Sequence, residues 1–172
     1  FNIASITKVV FAATVLKLVD NGDWNLDEPL YHYFIDEDVK DDPRHEQLTS
    51  RHVLSQQSGF VNWRWNHPTE KLAFDFDPGT KFNYSGEGME YLRKSIEKKL
   101  NMTWDKIADS LLFKPMNLNN TSHSWDGKSN FDEIVTFRKE TSLSPRYEWT
   151  DWEDVIRVTG VKKGCKARSE EH

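Results

Sequence analysis

The chain contains one cysteine, Cys165, in 172 residues. A disulfide framework and a cysteine-based metal centre both need partners that a single thiol does not have, so neither is expected. An excess of positive charge is lacking too. The 23 basic and 28 acidic residues give a net charge of −5 and are mixed along the sequence. That leaves no basic field for nucleic acid and points to small molecules or peptides as partners. No apolar run is long enough for a membrane: the longest, residues 9–16, resumes after Lys17 only as far as Val19, short of the roughly 20 residues a transmembrane helix needs.

Several catalytic and cofactor signatures are also missing. No Gly-x-Ser-x-Gly elbow is present, since Ser85 has Asn83 where the first glycine belongs. His45-Glu46 has no second histidine four residues on, and Gly86-Glu87-Gly88 has Tyr91 where a dinucleotide loop needs its third glycine. No cofactor and no metal are expected. There is no internal repeat. The chain opens on Phe1 rather than Met and carries no signal peptide, so it reads as a partial chain, with compartment and oligomeric state left open.

What is present begins at the start. Ser5 and Lys8 stand three residues apart at the mouth of an almost wholly apolar stretch running to Val19. On a helix they share one face, about a turn apart. A serine hydroxyl is a poor nucleophile until a neighbour takes its proton, and a lysine amine in apolar surroundings can do so. Free N–H groups at a helix N-terminus supply donors where an oxyanion would develop. Taken alone, the pair is equally a buried helix start with a snorkelling lysine. Ser95 and Lys98 repeat the spacing inside a charged run, where an exposed helix face explains them.

Local signals divide the rest. The first helix is expected over 5–20, apolar on nearly all sides and therefore central, with Gly22 as its left-handed cap. An acidic, solvated connection follows at 36–43. A second helix is expected over 49–59, capped by Thr49, stapled by Leu48 and Val53 and closed by Gly59, with a structural His52. Seven tryptophans and ten phenylalanines suit an aromatic-walled cleft or a packed core. Trp63 and Trp65 fall on one side of an extended chain and fit either role. Pro78-Gly79 marks a turn before Tyr84, which stands on a loop near glycines that permit close backbone approach; it either points into a site or is buried with a satisfied hydroxyl. Helices over 89–100 and, capped by Thr103, over 104–112 complete the pattern.

Four ordered blocks carry a resemblance: Phe1-Asn2-Ile3-Ala4-Ser5-Ile6-Thr7-Lys8, Leu48-Thr49-Ser50-Arg51-His52-Val53-Leu54-Ser55-Gln56-Gln57-Ser58-Gly59, Pro78-Gly79-Thr80-Lys81-Phe82-Asn83-Tyr84-Ser85, and Phe113-Lys114-Pro115-Met116-Asn117-Leu118-Asn119-Asn120-Thr121. Together they resemble the serine β-lactamase-like family, nearest in look to class C β-lactamases, DD-peptidases and related esterases. The resemblance implies an α/β (α+β) fold in which the serine helix packs on a mainly antiparallel sheet contributed by both chain ends. This chain would cover mostly the helical part, with much of the sheet missing. Residues 1–125 would form a partial catalytic region and 126–172 a divergent segment, with a disordered tail from about 162.

The activity implied is acyl transfer to Ser5 from a β-lactam, a D-alanyl peptide or a small ester, with Lys8 and Tyr84 moving the proton and the Ser5 N–H forming half of an oxyanion hole. Trp63, Trp65 and Gly86 would meet substrate. Gly86 replaces the asparagine that many members carry two residues after the tyrosine. The family's Lys/His-x-Gly strand is not recognisable; Val158-Thr159-Gly160 has valine in place of the cation. A non-catalytic ligand-binding relative or structural remnant is the alternative. Members of such a family would be periplasmic, secreted or cytoplasmic.

Overall fold

The computed structural model describes residues 3–119 and 121–123 and the backbone of 138–139 and 142–143. These belong to two units, residues 1–11 with 108–172, and residues 12–107.

The first unit begins with a tight 3-10 turn, Ala4–Ile6, which leads straight into α1 (Thr7–Asp20). It also holds the end of α4 (Trp104–Ala108), which widens into a π-helical turn, Asp109–Phe113, where Lys114 N–H reaches back to the Asp109 carbonyl at 2.9 Å. The helix expected over 104–112 is thus present but changes pitch at Asp109. Phe113 at its end is buried, with its ring 5.3 Å from that of His123. Two short strands, β1 (Arg138–Lys139) and β2 (Ser142–Leu143), pair antiparallel. Apart from these, the divergent segment 126–172, Val158-Thr159-Gly160 and Cys165 lie outside the described residues.

The second unit takes up α1 at Ala12. The helix ends as its sequence implies: Asp23 N–H bonds to the Leu18 carbonyl at 2.9 Å, and Gly22 sits at φ +83°, the closure of a Schellman motif. Burial differs from the expectation. Phe11, Val15 and Leu18 are buried, but Val9 and Leu16 are 70% and 51% exposed, because the described chain packs only one face of this apolar helix.

Helix α2 (Ser50–Leu54) is shorter than expected. Its start matches: Thr49 Oγ1 accepts from His52 N–H, and the His52 ring accepts from Thr49 N–H, both at 3.4 Å. This is a reciprocal capping box with a histidine in the usual acidic place. Leu48 and Val53 are buried as a staple requires. The helix stops early because the Ser55 hydroxyl donates to the Arg51 carbonyl at 2.8 Å and Gln56 turns left-handed at φ +59°.

Helix α3 (Gly86–Leu100) is the spine of this unit. It begins three residues before Met89 because the Ser85 hydroxyl oxygen caps it, accepting from Gly88 N–H at 3.0 Å. Asn101, left-handed at φ +49°, ends it. Tyr91, Leu92 and Ile96 are buried, and Tyr91 joins an aromatic cluster in which Phe60 lies 4.4 Å from Phe74 and 5.7 Å from Tyr91. Each such side chain contributes about 1.5–3 kcal/mol on leaving water. The Tyr91 hydroxyl donates to the Phe34 carbonyl at 3.0 Å, and burial pushes its pKa up to about 12. Of the second Ser-x-x-Lys copy only Lys98 lies on the expected exposed face; Ser95 is buried, because its hydroxyl donates to the Tyr91 carbonyl at 2.9 Å within the helix.

The acidic connection is not wholly solvated. Asp36 is only 9% exposed and pairs with Arg64 at 3.0 Å. Arg64 also meets Asp38 at 3.1 Å and Glu87, on the first turn of α3, at 2.9 Å. Burial works against the guanidinium charge, but hydrogen bonds to Glu87 and then Asp36 outweigh it and raise the Arg64 pKa above its ordinary value. The charge is kept because every carboxylate around it is paired with it.

Candidate active site

Ser5 lies in the 3-10 turn that opens into α1, exposed, with Lys8 half-buried one turn on. The Lys8 Nζ is 3.4 Å from Ser5 Oγ. As an ammonium it donates to the hydroxyl; as a neutral amine the same contact lets it accept the hydroxyl proton. Just before the serine, Ala4 takes φ +45°, a left-handed conformation that costs a residue with a Cβ on the order of 1 kcal/mol. Thr7 is buried, and its hydroxyl has no hydrogen-bond partner among the described residues. Strain and an unsatisfied buried hydroxyl thus stand on either side of Ser5.

Tyr84 belongs to the second unit and reaches its place through a turn and an extended approach. Thr80 N–H bonds to the Asp77 carbonyl at 3.1 Å across Pro78-Gly79, with Gly79 at φ +85°. This is a type II turn, whose third position needs a glycine. From there the chain alternates: Phe82 and Tyr84 are exposed, Tyr84 by 40%, while Asn83 turns inward and donates from Nδ2 to the Phe60 carbonyl at 2.9 Å. The tyrosine is therefore on the surface of its unit and not buried.

Trp63 and Trp65 do come together. Their rings stack nearly parallel, 5.0 Å apart with an 8° interplanar angle, and Trp65 is 45% exposed. They lie in and beside a 3-10 turn, Arg64–Asn66, so the stack does not depend on an extended chain. Arg64, between them, fastens the turn through its acidic partners and through its own N–H, which donates to Glu87 Oε1 at 3.0 Å. Gly86 supports the stack. A Cβ there would meet the Cζ2 and Cζ3 atoms of Trp63 at 2.6 Å, too close for any other residue without displacing the ring. Gly86 N–H donates to the Asn62 carbonyl and side chain at 3.0 and 2.9 Å. An indole face fills the space beside Gly86, where a larger side chain would project.

The expected residues thus form two groups, Ser5 with Lys8 in one unit, and Trp63, Trp65 and Gly86 beside the Tyr84 segment in the other. His52 is structural, held in its capping box and shifted to a lower pKa chiefly by burial. Asn62 and Arg64, which hold the second group, stand in no sequence pattern, and Gln56 falls inside the second of the four blocks without a role of its own there. Among the described residues, no three His, Cys, Asp or Glu side chains gather as metal ligands, and no helix is long and apolar enough to cross a membrane.

Comparison with known proteins fits this architecture. The fimbrial assembly protein FimD of serogroup D from Dichelobacter nodosus, itself putative, is 28% identical over 125 residues, covering 63% of this chain and 32% of its own. Among solved structures, SurE with D-Leu aligns with a TM-score of 0.56 and 29% identity over 68% of this chain and 28% of that one. The octameric penicillin-binding protein homologue from Pyrococcus abyssi gives 0.54 and 26%, over 69% and 32%. The chain thus spans about a third of the length of these relatives. The class these folds define is the β-lactamase-like α/β fold, here represented by its helical part. The sequence model described as Beta-lactamase matches residues 1–132, and the chain belongs to that family, one of hydrolase-type proteins.

Proposed function

We propose that this chain carries the nucleophile half of a serine hydrolase that works through an acyl-enzyme. The single observation that carries the reading is the 3.4 Å approach of Lys8 Nζ to Ser5 Oγ beside a left-handed Ala4. In the first step the Ser5 Oγ–H proton passes to neutral Lys8 while Oγ bonds to the substrate carbonyl carbon. The carbonyl electron pair moves onto oxygen, where the Ser5 N–H supplies half of the oxyanion hole. Collapse expels the leaving group, which takes up a proton, and water then releases the acid and regenerates Ser5. Tyr84 is the second proton carrier in this scheme, a role that comes from the family resemblance.

The substrate class is a β-lactam, a D-alanyl peptide or a small ester, with Trp63 and Trp65 as candidate aromatic contacts for it. The experiment is intact-mass analysis after incubation with a fluorescent penicillin and, separately, a fluorophosphonate. An adduct that disappears in Ser5→Ala supports the proposal. A folded chain that acquires none is the non-catalytic relative instead.

A further inference from the structure

We infer that Gln56 is a positioning residue for Tyr84, holding the main chain on both sides of it; the inference rests on the proton-carrying role proposed above for that tyrosine. The Gln56 carbonyl accepts from Asn83 N–H at 2.8 Å, and its side-chain Oε1 accepts from Ser85 N–H at 2.7 Å. One residue, 29 positions away from Ser85, therefore grips the peptide groups immediately before and after Tyr84. A peptide N–H only donates, so the amide oxygen must be the atom that faces Ser85.

The neighbours of Tyr84 are tied down by their side chains. Asn83 Nδ2 donates to the Phe60 carbonyl at 2.9 Å, and the Ser85 hydroxyl donates to the Val61 carbonyl at 2.8 Å. Tyr84 itself is 40% exposed, and the backbone from which its ring projects is what Gln56 holds on both sides.

The conformation of Gln56 adds a second observation. Its φ of +59° lies in the left-handed region, where glycine is at ease and a glutamine is strained. A glycine would end α2 at this point without strain, but it has no amide to reach Ser85. The strained glutamine both turns its carbonyl toward Asn83 and supplies the second hydrogen bond, a combination that merely closing a helix does not require.

The test uses the 172-residue chain labelled with 3-fluorotyrosine and observed by 19F NMR. There are five tyrosines, and Tyr84→Phe identifies the resonance of interest. Gln56→Leu keeps the bulk but removes the acceptor, Gln56→Gly also relieves the strain, and Gln56→Glu keeps an acceptor for Ser85. Tyr84 is expected to give one narrow line in the wild type. In Gln56→Leu and Gln56→Gly it should broaden or move toward free fluorotyrosine while the other four hold still, and Gln56→Glu should restore it. In parallel, the limiting rate of Ser5 modification by a fluorophosphonate should fall about tenfold or more in the first two variants, with half-saturation unchanged. An unmoved Tyr84 line overturns the inference. So does a joint collapse of all five lines, which would make Gln56 a general structural closure. A wild-type chain that never labels refutes the acyl-transfer reading, and the fluorine spectra still decide on Gln56.

Discussion

Ser5 and Tyr84 are presented in contrasting ways. Ser5 is placed by its immediate neighbours: a 3-10 turn, the left-handed Ala4 before it and Lys8 one turn later. Tyr84 is placed by residues far away in sequence, through Gln56 on either side of it and through the capped start of α3 just after it. The helix after Tyr84 is further fastened by Glu87 to Arg64 and from there to Asp36 and Asp38. Both placements spend one left-handed residue, Ala4 beside Ser5 and Gln56 beneath Tyr84, but the first is made within a few residues and the second depends on the whole unit being folded. A side chain in a short turn and one on an extended segment are held by different means, and the two regions differ accordingly.

The sharpest way to break the contrast is Arg64→Met. It leaves Asp36 and Glu87 buried without their partner and should cost roughly 3 kcal/mol of stability, read as a lower urea midpoint. Ser5→Ala should leave that midpoint nearly unchanged, within about 0.5 kcal/mol, since the serine is exposed and held locally. If the two cost the same, the contrast fails.

Gly86→Ala comes next. Its methyl group must push the Trp63 ring aside, at a cost of roughly 1–3 kcal/mol, and the near-UV circular dichroism of the stacked tryptophans should weaken. An unchanged spectrum would mean that the stack does not depend on Gly86. Ala4→Gly tests the local side. It removes the left-handed penalty and should stabilise the chain by about 0.5–1 kcal/mol; a loss of stability would show that the turn is not strained.

The smallest effect is in pH dependence. Burial holds the His52 pKa below its ordinary value, so the folded chain binds that proton less readily than the unfolded one. Its contribution is complete above about pH 6.5 and is lost as pH falls through the lowered folded value. His52→Gln should remove a stability slope worth less than about 1 kcal/mol between about pH 7 and 5, measured by thermal melts across that range.

The same division explains what the sequence made legible. Caps and stops are local chemistry: Thr49 with its staple, Gly22, the Pro78-Gly79 turn and the Ser5–Lys8 spacing can each be read within a few residues. The start of α3 was misplaced because Gly86 and Gly88 look like helix breakers, whereas the Ser85 cap overrides them. Gln56 and Arg64 were invisible for another reason. Their partners lie 23 to 29 residues away, and no periodicity links a glutamine to the peptide it will hold. The buried Asp36 was hidden likewise, since an acidic run looks solvated until its arginine is found. The tryptophan pair was marked by composition and its contact with Gly86 was not, because an empty Cβ position leaves no trace in a sequence.

The contact between Gly86 and Trp63 also restricts the order in which these two positions can change. An asparagine cannot enter at position 86 while the indole occupies its space, and removing the indole first leaves a hole beside a bare glycine. Either path crosses a less stable intermediate, so an exchange of the indole for an amide side chain requires two linked substitutions. Residues 63 and 86 should therefore behave as one unit of inheritance, large with absent or small with present, and a library varying both together should recover folded chains that neither single change can reach.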